Sequence, residues 1–222
     1  MNLKRRNFIH LSTLVAGAAV TAGFQSGKKT ENSESEKLIS QTSDIVPITL
    51  EERKQRIVKA QQLLLQNKMD ALVLESGTSL EYFTGVSWWP SERTLAAVIP
   101  SKGEIVYVCP GFEEPRFREL ITIGNKVIVW QEDESPYGKI VEALSVTGTG
   151  NGKIGIEEQV RFFIYDGIRK LAPHLQYISG DPVTMPCRMI KSAAELALMQ
   201  KATDITVAAM KKGMNSLKEG VS

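Results

Sequence analysis

The sequence has 222 residues, 42% of them hydrophobic and 23% charged, which is ordinary for a folded globular protein and excludes a disordered or collagen-like chain. Its two cysteines, Cys109 and Cys187, are too few for a disulfide scaffold and too far apart for a Cys-x-x-Cys metal or redox motif. The net charge of +2 depends on three basic residues near the N-terminus, because the chain after residue 24 holds 24 basic and 25 acidic side chains. Since nucleic-acid binding needs an excess of positive charge, we expect no nucleic-acid partner.

The first 24 residues predict an export signal. A basic start with Arg5 and Arg6 precedes a weakly apolar run from Leu11 to Phe24, and small residues near Ala22 suit cleavage. The arginine pair resembles a twin-arginine signal, with an ordinary secretory signal or anchor as the alternative. The run is too short for a stable membrane anchor, which needs about 20 apolar residues. We therefore predict a periplasmic or extracellular protein.

Residues 25–47 predict a flexible linker, because Ser, Lys and Glu are frequent there and apolar residues are few. Thr49 and Glu52 have capping-box spacing and mark the start of a globular domain predicted over 48–186. Apolar runs and helical spacings in this domain predict, in chain order, a helix over Leu50–Asn67, a strand over Ala71–Leu74, a short helix ended by Gly85, a hairpin of strands Leu95–Ile99 and Glu104–Cys109, a helix over Arg116–Ile121, a strand over Lys126–Trp130, a helix over Pro136–Val146, a strand over Lys153–Ile156, a helix over Arg161–Leu171 and a strand over Leu175–Ile178. Strands that alternate with helices predict an α/β domain, and the hairpin makes its sheet mixed.

The pattern changes again after Pro182 and Pro186. Ser192 and Glu195 have the spacing of a capping box, and the apolar stripe that follows predicts a helix to about Lys212. A long amphipathic helix this close to the last residue of the sequence needs either a partner surface elsewhere or a continuation of the chain.

Self-contained catalytic chemistry is not expected. His174 is the one histidine outside the predicted signal, which excludes a His-Glu-x-x-His motif or a three-histidine metal site. Its place between a helix and a strand favours a solvated side chain over a partner for a nucleophile. The glycine-rich stretch 148–153 lacks the Ser or Thr of a phosphate-binding loop and precedes a strand, so it predicts a turn. We predict no catalytic residue and no metal ligand in this chain.

Residues 85–93, here termed the Trp–Arg loop, are the exception to this ordinary pattern. Trp88 and Trp89 stand beside Arg93 in a segment that joins a helix to a strand. Large aromatic residues in a loop suggest an interface or a ligand wall, and an arginine there can offer a planar fork to a carboxylate. The alternative is that the rings pack beneath the loop and Arg93 pairs locally with Glu92 or Glu113.

Three groups of short motifs stand out over about 48–222. They are Tyr82-Phe83-Thr84-Gly85 with Ser91-Glu92-Arg93, Val98-Ile99-Pro100 and Gly103-Glu104; Cys109-Pro110 with Phe112-Glu113-Glu114 and Arg116; and Arg188-Met189-Ile190-Lys191-Ser192 with Ala194-Glu195 and Leu198-Met199. Together they resemble the N-terminal domain of creatinase/prolidase-type proteins, and the second group resembles the branch of the Xaa-Pro peptidases. The last group is similar to the interdomain linker and the first helix of that family's catalytic domain, with Ala193 in place of the usual proline.

The resemblance implies a three-layer α/β N-terminal domain, followed over 187–222 by a linker and the first helix of a pita-bread catalytic domain. That catalytic domain would hold two divalent metal ions (Mn, Zn or Co) on two Asp, one His and two Glu, none of which can be placed in this sequence. No cofactor is therefore expected in this chain. The resemblance also implies a homodimer in which Arg93 of one subunit contacts the substrate carboxylate in the other, with Trp88 and Trp89 as walls of that subsite.

The function predicted on these grounds is that of a non-catalytic domain for dimerisation and substrate gating in an exported Xaa-Pro metallopeptidase that acts on short proline-containing peptides. Two alternatives stay open. One is a free-standing module that binds a small ligand or a protein through the Trp–Arg loop. The other is the N-terminal domain of a creatinase-like amidinohydrolase, because a shared fold does not determine the reaction.

Overall fold

The computed structural model describes residues 40–217 and 219–220. The predicted export signal at 1–24 and most of the predicted linker at 25–47 lie outside the described residues. In the described part of the chain, no helix is long and apolar enough to cross a membrane.

Six strands form one mixed sheet in the order β4-β3-β2-β1-β5-β6. The strands are β1 Ala71–Glu75, β2 Ala96–Pro100, β3 Val106–Pro110, β4 Lys126–Trp130, β5 Lys153–Ile156 and β6 Gln176–Ser179. Strand β2 runs antiparallel to both of its neighbours, β1 and β3, which confirms the predicted hairpin. The other neighbouring pairs are parallel. The carboxyl ends of β1, β3, β4, β5 and β6 therefore meet at one edge of the sheet, where β2 begins.

Helices cover both faces of this sheet. They are α1 Leu50–Gln66, α2 Thr78–Thr84, α3 Glu114–Leu120, α4 Pro136–Val146, α5 Phe162–Leu171, α6 Asp181–Met189 and α7 Ala193–Ser216. Leu72 and Leu74 point into a core shared with α1, α2, α3 and α6, whereas Ala71 and Val73 point into a second core shared with α4 and α5. Every residue of β1, β2 and β3 is buried, as expected for strands covered on both sides. The predicted three-layer α/β architecture is confirmed.

Local sequence signals account for several helix ends. Thr49 is the N-cap of α1, where its hydroxyl accepts a hydrogen bond from the Glu52 amide at 3.1 Å and so satisfies one of the free N–H groups of the first turn. Gly85 ends α2 with φ of 83°, a left-handed conformation that costs other residues energy. Ser192 and Glu195 form the predicted capping box at the start of α7, which continues to Ser216, four residues beyond the predicted end.

The sequence pattern does not predict helix α6, which lies where Pro182 and Pro186 mark a change of pattern. Pro182 lies in the first turn, where a missing N–H is harmless, but Pro186 stands inside the helix and removes a hydrogen bond. The helix is stabilised by burial of Val183 and Cys187 against α1 and by Lys59, whose ammonium donates to the Pro186 carbonyl at 2.9 Å. The predicted domain boundary at residue 186 therefore falls within this helix.

Candidate functional site

The carboxyl edge of the sheet collects the polar and aromatic residues that the core does not use. The Trp–Arg loop precedes β2 at this edge, and the segments that follow β3 and β4 begin at the same edge. Ligand sites of open α/β sheets characteristically lie outside the carboxyl ends of the strands. Two clusters stand at this edge, one around Arg93 and one after β1 and β5.

Arg93 divides its guanidinium between two carboxylates. Its Nε donates to Glu132 Oε1 at 2.9 Å and its Nη1 donates to Glu92 Oε1 at 2.7 Å. The hydrogen bond that Arg93 donates to Glu132, with the nearby acidic charges, raises the pKa of Arg93 further above its ordinary value. The Glu92 and Glu132 side chains are 78% and 67% exposed, and ion pairs this exposed contribute little to stability. Arg93 can therefore exchange either partner for an incoming carboxylate at small cost.

The two tryptophans of the loop have different surroundings. Trp88 packs edge-on against Phe117, with ring centroids 5.8 Å apart, and contacts the core beneath it. Trp89 is 73% exposed. Phe112 follows β3 and belongs to one of the family motifs but not to the predicted site. It is equally exposed, and the centre of its ring lies 5.3 Å from the Arg93 guanidinium. Phe112 is therefore the exposed aromatic ring beside Arg93, Trp89 is an exposed ring of the same loop, and Trp88 packs against the core.

Glu113 adds a half-buried carboxyl to this cluster. Its Oε2 atom is buried and has no hydrogen-bond partner among the described residues. Burial raises the pKa of Glu113, and the positive charge of Arg93 acts in the opposite direction. Burial also raises the pKa of the neighbouring Cys109 thiol to about 12, with the charges of Glu113 and Glu114 adding to the effect. A thiol with so high a pKa is a poor nucleophile at neutral pH.

A second cluster lies where β1 and β5 end side by side. Glu75 accepts hydrogen bonds from the Arg161 backbone amide at 2.9 Å and from Arg161 Nε at 2.6 Å. Glu157 accepts from the Ser79 hydroxyl at 2.7 Å, and both glutamates are 5% exposed. Buried charges of this kind must be paired or hydrogen-bonded to be tolerated. The sequence-based prediction of the site missed this cluster. The one sequence feature that pointed to it is an acidic residue directly after each predicted apolar strand, Glu75 after Leu74 and Glu157 after Ile156.

The second cluster opens into a cleft of about 470 Å³ bounded by α2, α6 and the segment between β5 and α5. Arg188 of α6 reaches across it, with Nη1 donating to the Ser79 hydroxyl at 3.0 Å. Glu158 and Asp181 both line the cleft, and the hydrogen bond and like charge of Asp181 raise the pKa of Glu158. We call this space the switch-point cleft, because the chain leaves β1 toward one face of the sheet and leaves β5 toward the other.

Helix α7 is joined to the domain through Arg56 of α1, which is 8% exposed. Arg56 Nη2 forms ion pairs with Glu52 at 2.6 Å and with Glu195 at 3.2 Å, and Nη1 donates to the Tyr82 carbonyl at 3.0 Å. The guanidinium also lies 4.1 Å from the centroid of the Tyr82 ring. The Ser192 hydroxyl donates to Glu52 at 2.8 Å, so the N-cap of α7 contacts the same carboxylate.

No group of three or more His, Cys, Asp or Glu side chains is placed to hold a metal ion within the described ranges. His174 is exposed, and its Nε2 lies 2.9 Å from the Gly150 carbonyl oxygen. Cys109 and Cys187 are both buried as free thiols.

Comparison with known proteins finds a matching family, similar sequences and similar structures. The Creatinase/Prolidase N-terminal domain family matches residues 56–190. An uncharacterized peptidase of Schizosaccharomyces pombe is 32% identical over 194 residues, which are 81% of this chain and 42% of the relative. Recombinant prolidase from Thermococcus sibiricus has a similar fold, with a TM-score of 0.69 at 21% identity over 80% of this chain and 47% of that one. The N-terminal domain of Xaa-Pro dipeptidase from Lactobacillus brevis gives a TM-score of 0.52 at 21% identity over 61% of this chain and 99% of that one. The chain thus spans less than half the length of the first two of these proteins.

Proposed function

Since the chain belongs to the creatinase/prolidase N-terminal domain family, we propose that it forms the non-catalytic N-terminal part of a metal-dependent Xaa-Pro peptidase. The matched peptidase and prolidase are more than twice as long as the part that this chain covers. The observation that carries the proposal is the surface of α7.

Helix α7 leaves an apolar stripe exposed along its length. Leu196, Met199 and Met210 are 55%, 53% and 62% exposed, and Val207 and Met214 continue the same pattern. A helix with a long apolar stripe characteristically buries it against another element, because apolar surface in contact with water is unfavourable. We assign a pita-bread catalytic domain as the partner of this stripe, in keeping with the greater length of the relatives.

The two divalent metal ions (Mn, Zn or Co) of this proposal belong to that catalytic domain. The described residues of this chain do not fit them, because no cluster of three or more potential ligands exists among those residues. We propose that this chain positions and selects the substrate.

Sequencing the gene beyond the codon for Ser222 tests this part of the proposal. We expect an open reading frame that supplies two Asp, one His and two Glu as metal ligands. A stop codon at that place would refute it and would favour a free-standing binding module.

We further propose that Arg93 contacts the carboxylate of a short proline-containing peptide in the active site of the partner subunit of a homodimer. Its exposed position and its two weak ion pairs support this role, since a new carboxylate can replace Glu92 or Glu132 without loss of a buried interaction. Trp89 forms the wall of that subsite, and Trp88 holds the loop in place.

The test is Arg93→Ala in the complete dimeric protein. We expect a higher KM for an Xaa-Pro dipeptide with little change in kcat, because the lost contact binds substrate and transition state alike. Arg118→Ala is the matched control, since Arg118 also carries an exposed ion pair, with Glu114. An unchanged KM in Arg93→Ala would contradict the role of Arg93.

The predicted signal supports export to the periplasm or the cell exterior. Intact mass measurement of the protein recovered from its native cells tests this, and we expect loss of the first residues up to about Ala22. Recovery of an uncleaved chain from the cytoplasm would contradict it.

A further inference from the structure

The switch-point cleft contains a cation held in place by neutral groups. Arg188 donates to the hydroxyl oxygens of Ser79 at 3.0 Å and Thr78 at 3.5 Å. Among the described residues, no carboxylate lies within 4.0 Å of its guanidinium, and the Ser79 hydroxyl proton is directed to the buried Glu157. A guanidinium that is oriented but not neutralised is a ready receptor for a carboxylate, which it can bind with two parallel hydrogen bonds.

The same cleft contains a pair of like charges. The side chains of Glu158 and Asp181 both line this cleft, and the hydrogen bond and like charge of Asp181 raise the pKa of the Glu158 carboxyl. Two carboxylates this close repel each other unless a proton or a cation lies between them. A primary ammonium group would relieve the repulsion by donating to both.

Helix α6 sets the distance between these two charged places. Asp181 and Arg188 are seven residues apart on one face of the helix, which corresponds to about 10 Å along the axis. Met185 lies on the same face between them and is 54% exposed, and Met189 adds apolar surface at the Arg188 end. A fully extended chain of three residues also spans about 10 Å.

We propose that the switch-point cleft binds a short peptide of about three residues with both ends free. Its ammonium lies between Glu158 and Asp181, its carboxylate lies on Arg188, and its side chains contact Met185 and Met189. The cleft has four acidic side chains against two basic ones, which disfavours phosphate and other polyanions (Glu157, Glu158, Asp181 and Glu195 against Arg188 and Lys191). This site is separate from the Arg93 cluster and does not depend on the function proposed above.

Titration of the purified 222-residue chain with trialanine, followed by NMR chemical shifts, tests the proposal. We expect saturable binding in the millimolar range or tighter, with the largest shifts at residues 157–159 and 181–189. N-acetyl-trialanine and trialanine amide each lack one charged end and should bind about tenfold more weakly, as expected when a charge-assisted hydrogen bond is lost. Equal binding of all three peptides, shifts confined to the Trp–Arg loop, or no saturation would overturn the proposal, as would tighter binding of inorganic phosphate.

Two variants connect the binding to the named side chains. In Arg188→Gln, trialanine and its amide should bind equally, because the receptor for the carboxylate is gone. In Asp181→Asn, trialanine and N-acetyl-trialanine should bind with more similar affinities, because one of the two acceptors of the ammonium group is then neutral. Arg169→Gln is the matched control, since Arg169 is exposed on α5 and pairs with Asp166 instead of lining the cleft. If Arg188→Gln still distinguishes the acid from the amide, the assignment is wrong, and Asp181→Asn decides independently should Arg188→Gln fail to fold.

Discussion

The junction between α1 and α7 makes a sharp prediction for Arg56→Met. The substitution keeps an unbranched side chain but removes the charge that pairs with Glu52 at 2.6 Å and with Glu195 at 3.2 Å. It also leaves the Tyr82 carbonyl without its donor at 3.0 Å. Two carboxylates would then face each other without a cation between them.

The magnitude follows from the burial of the three groups. Removal of one partner from a buried ion pair costs about 3–5 kcal/mol, because the remaining charge is left uncompensated. Arg56 is 8% exposed, but the Glu52 and Glu195 side chains are 21% and 18% exposed and retain some contact with water. We therefore expect a loss near the lower end of that range, about 3 kcal/mol.

Urea unfolding of the purified chain, followed by tryptophan fluorescence, measures this loss as a change in the free energy of unfolding. Arg118→Met is the matched control, because it removes an i,i+4 pair whose arginine is 48% exposed and should cost less than about 1 kcal/mol. A loss below 1 kcal/mol in Arg56→Met would refute the reasoning. A further test is the triple variant with Glu52→Gln and Glu195→Gln, which should regain part of the lost stability because the carboxylates are then neutral.

Three further predictions concern acid stability, the loop and two glycines. Burial alone would raise the pKa of Glu52, but hydrogen bonds from Ser192 and Arg56 lower it below the usual 4.5. The stabilisation by the ionised Glu52 carboxylate is therefore present above pH 4.5 and is lost as the pH falls through the pKa of Glu52 in the folded state. Urea unfolding between pH 3 and 6 should show that the free energy of unfolding falls less with acid in Glu52→Gln than in the wild type. Trp88→Ala should cost about 2–4 kcal/mol in the same assay, because the ring packs on Phe117, whereas Trp89→Ala should cost less than about 0.5 kcal/mol; equal losses would contradict the difference in burial. Gly85→Ala should lower the melting temperature, because φ is 83° and the new methyl would meet the Arg53 side chain at 2.9 Å, whereas Gly213→Ala in α7, where nothing lies within 4 Å, should raise stability by about 0.5–1 kcal/mol.

The weak pairing of Arg93 and the strong pairing of Arg56 illustrate two uses of one residue type. Both arginines contact two glutamates at similar distances. They differ in burial, because the side chain of Arg93 is 33% exposed and that of Arg56 is 8% exposed. A salt bridge in water contributes little to stability and is readily exchanged, while a buried one is costly to break. Arg93 is therefore suited to binding and Arg56 to holding α7 in place.

The sequence by itself determined the elements whose signals are local. The alternation of apolar runs and helical spacings predicted the six strands, the hairpin and six of the seven described helices, because side-chain periodicity follows directly from backbone geometry. The capping box at Ser192 and Glu195 was predicted in the same way and is present. The short motifs around Arg93 and Arg188 also placed the chain in its family.

Tertiary structure alone decided the features that depend on residues far apart in the chain. Helix α6 forms despite Pro186 because Val183 and Cys187 are buried against α1, a gain in apolar burial that local propensity does not contain. Arg56 meets Glu195 across 139 positions, and Glu75 meets Arg161 across 86. Trp88 and Trp89 are neighbours in sequence, yet the tertiary structure packs one against the core and leaves the other exposed. Local patterns establish which elements form, whereas burial and the pairing of distant charges depend on how those elements come together.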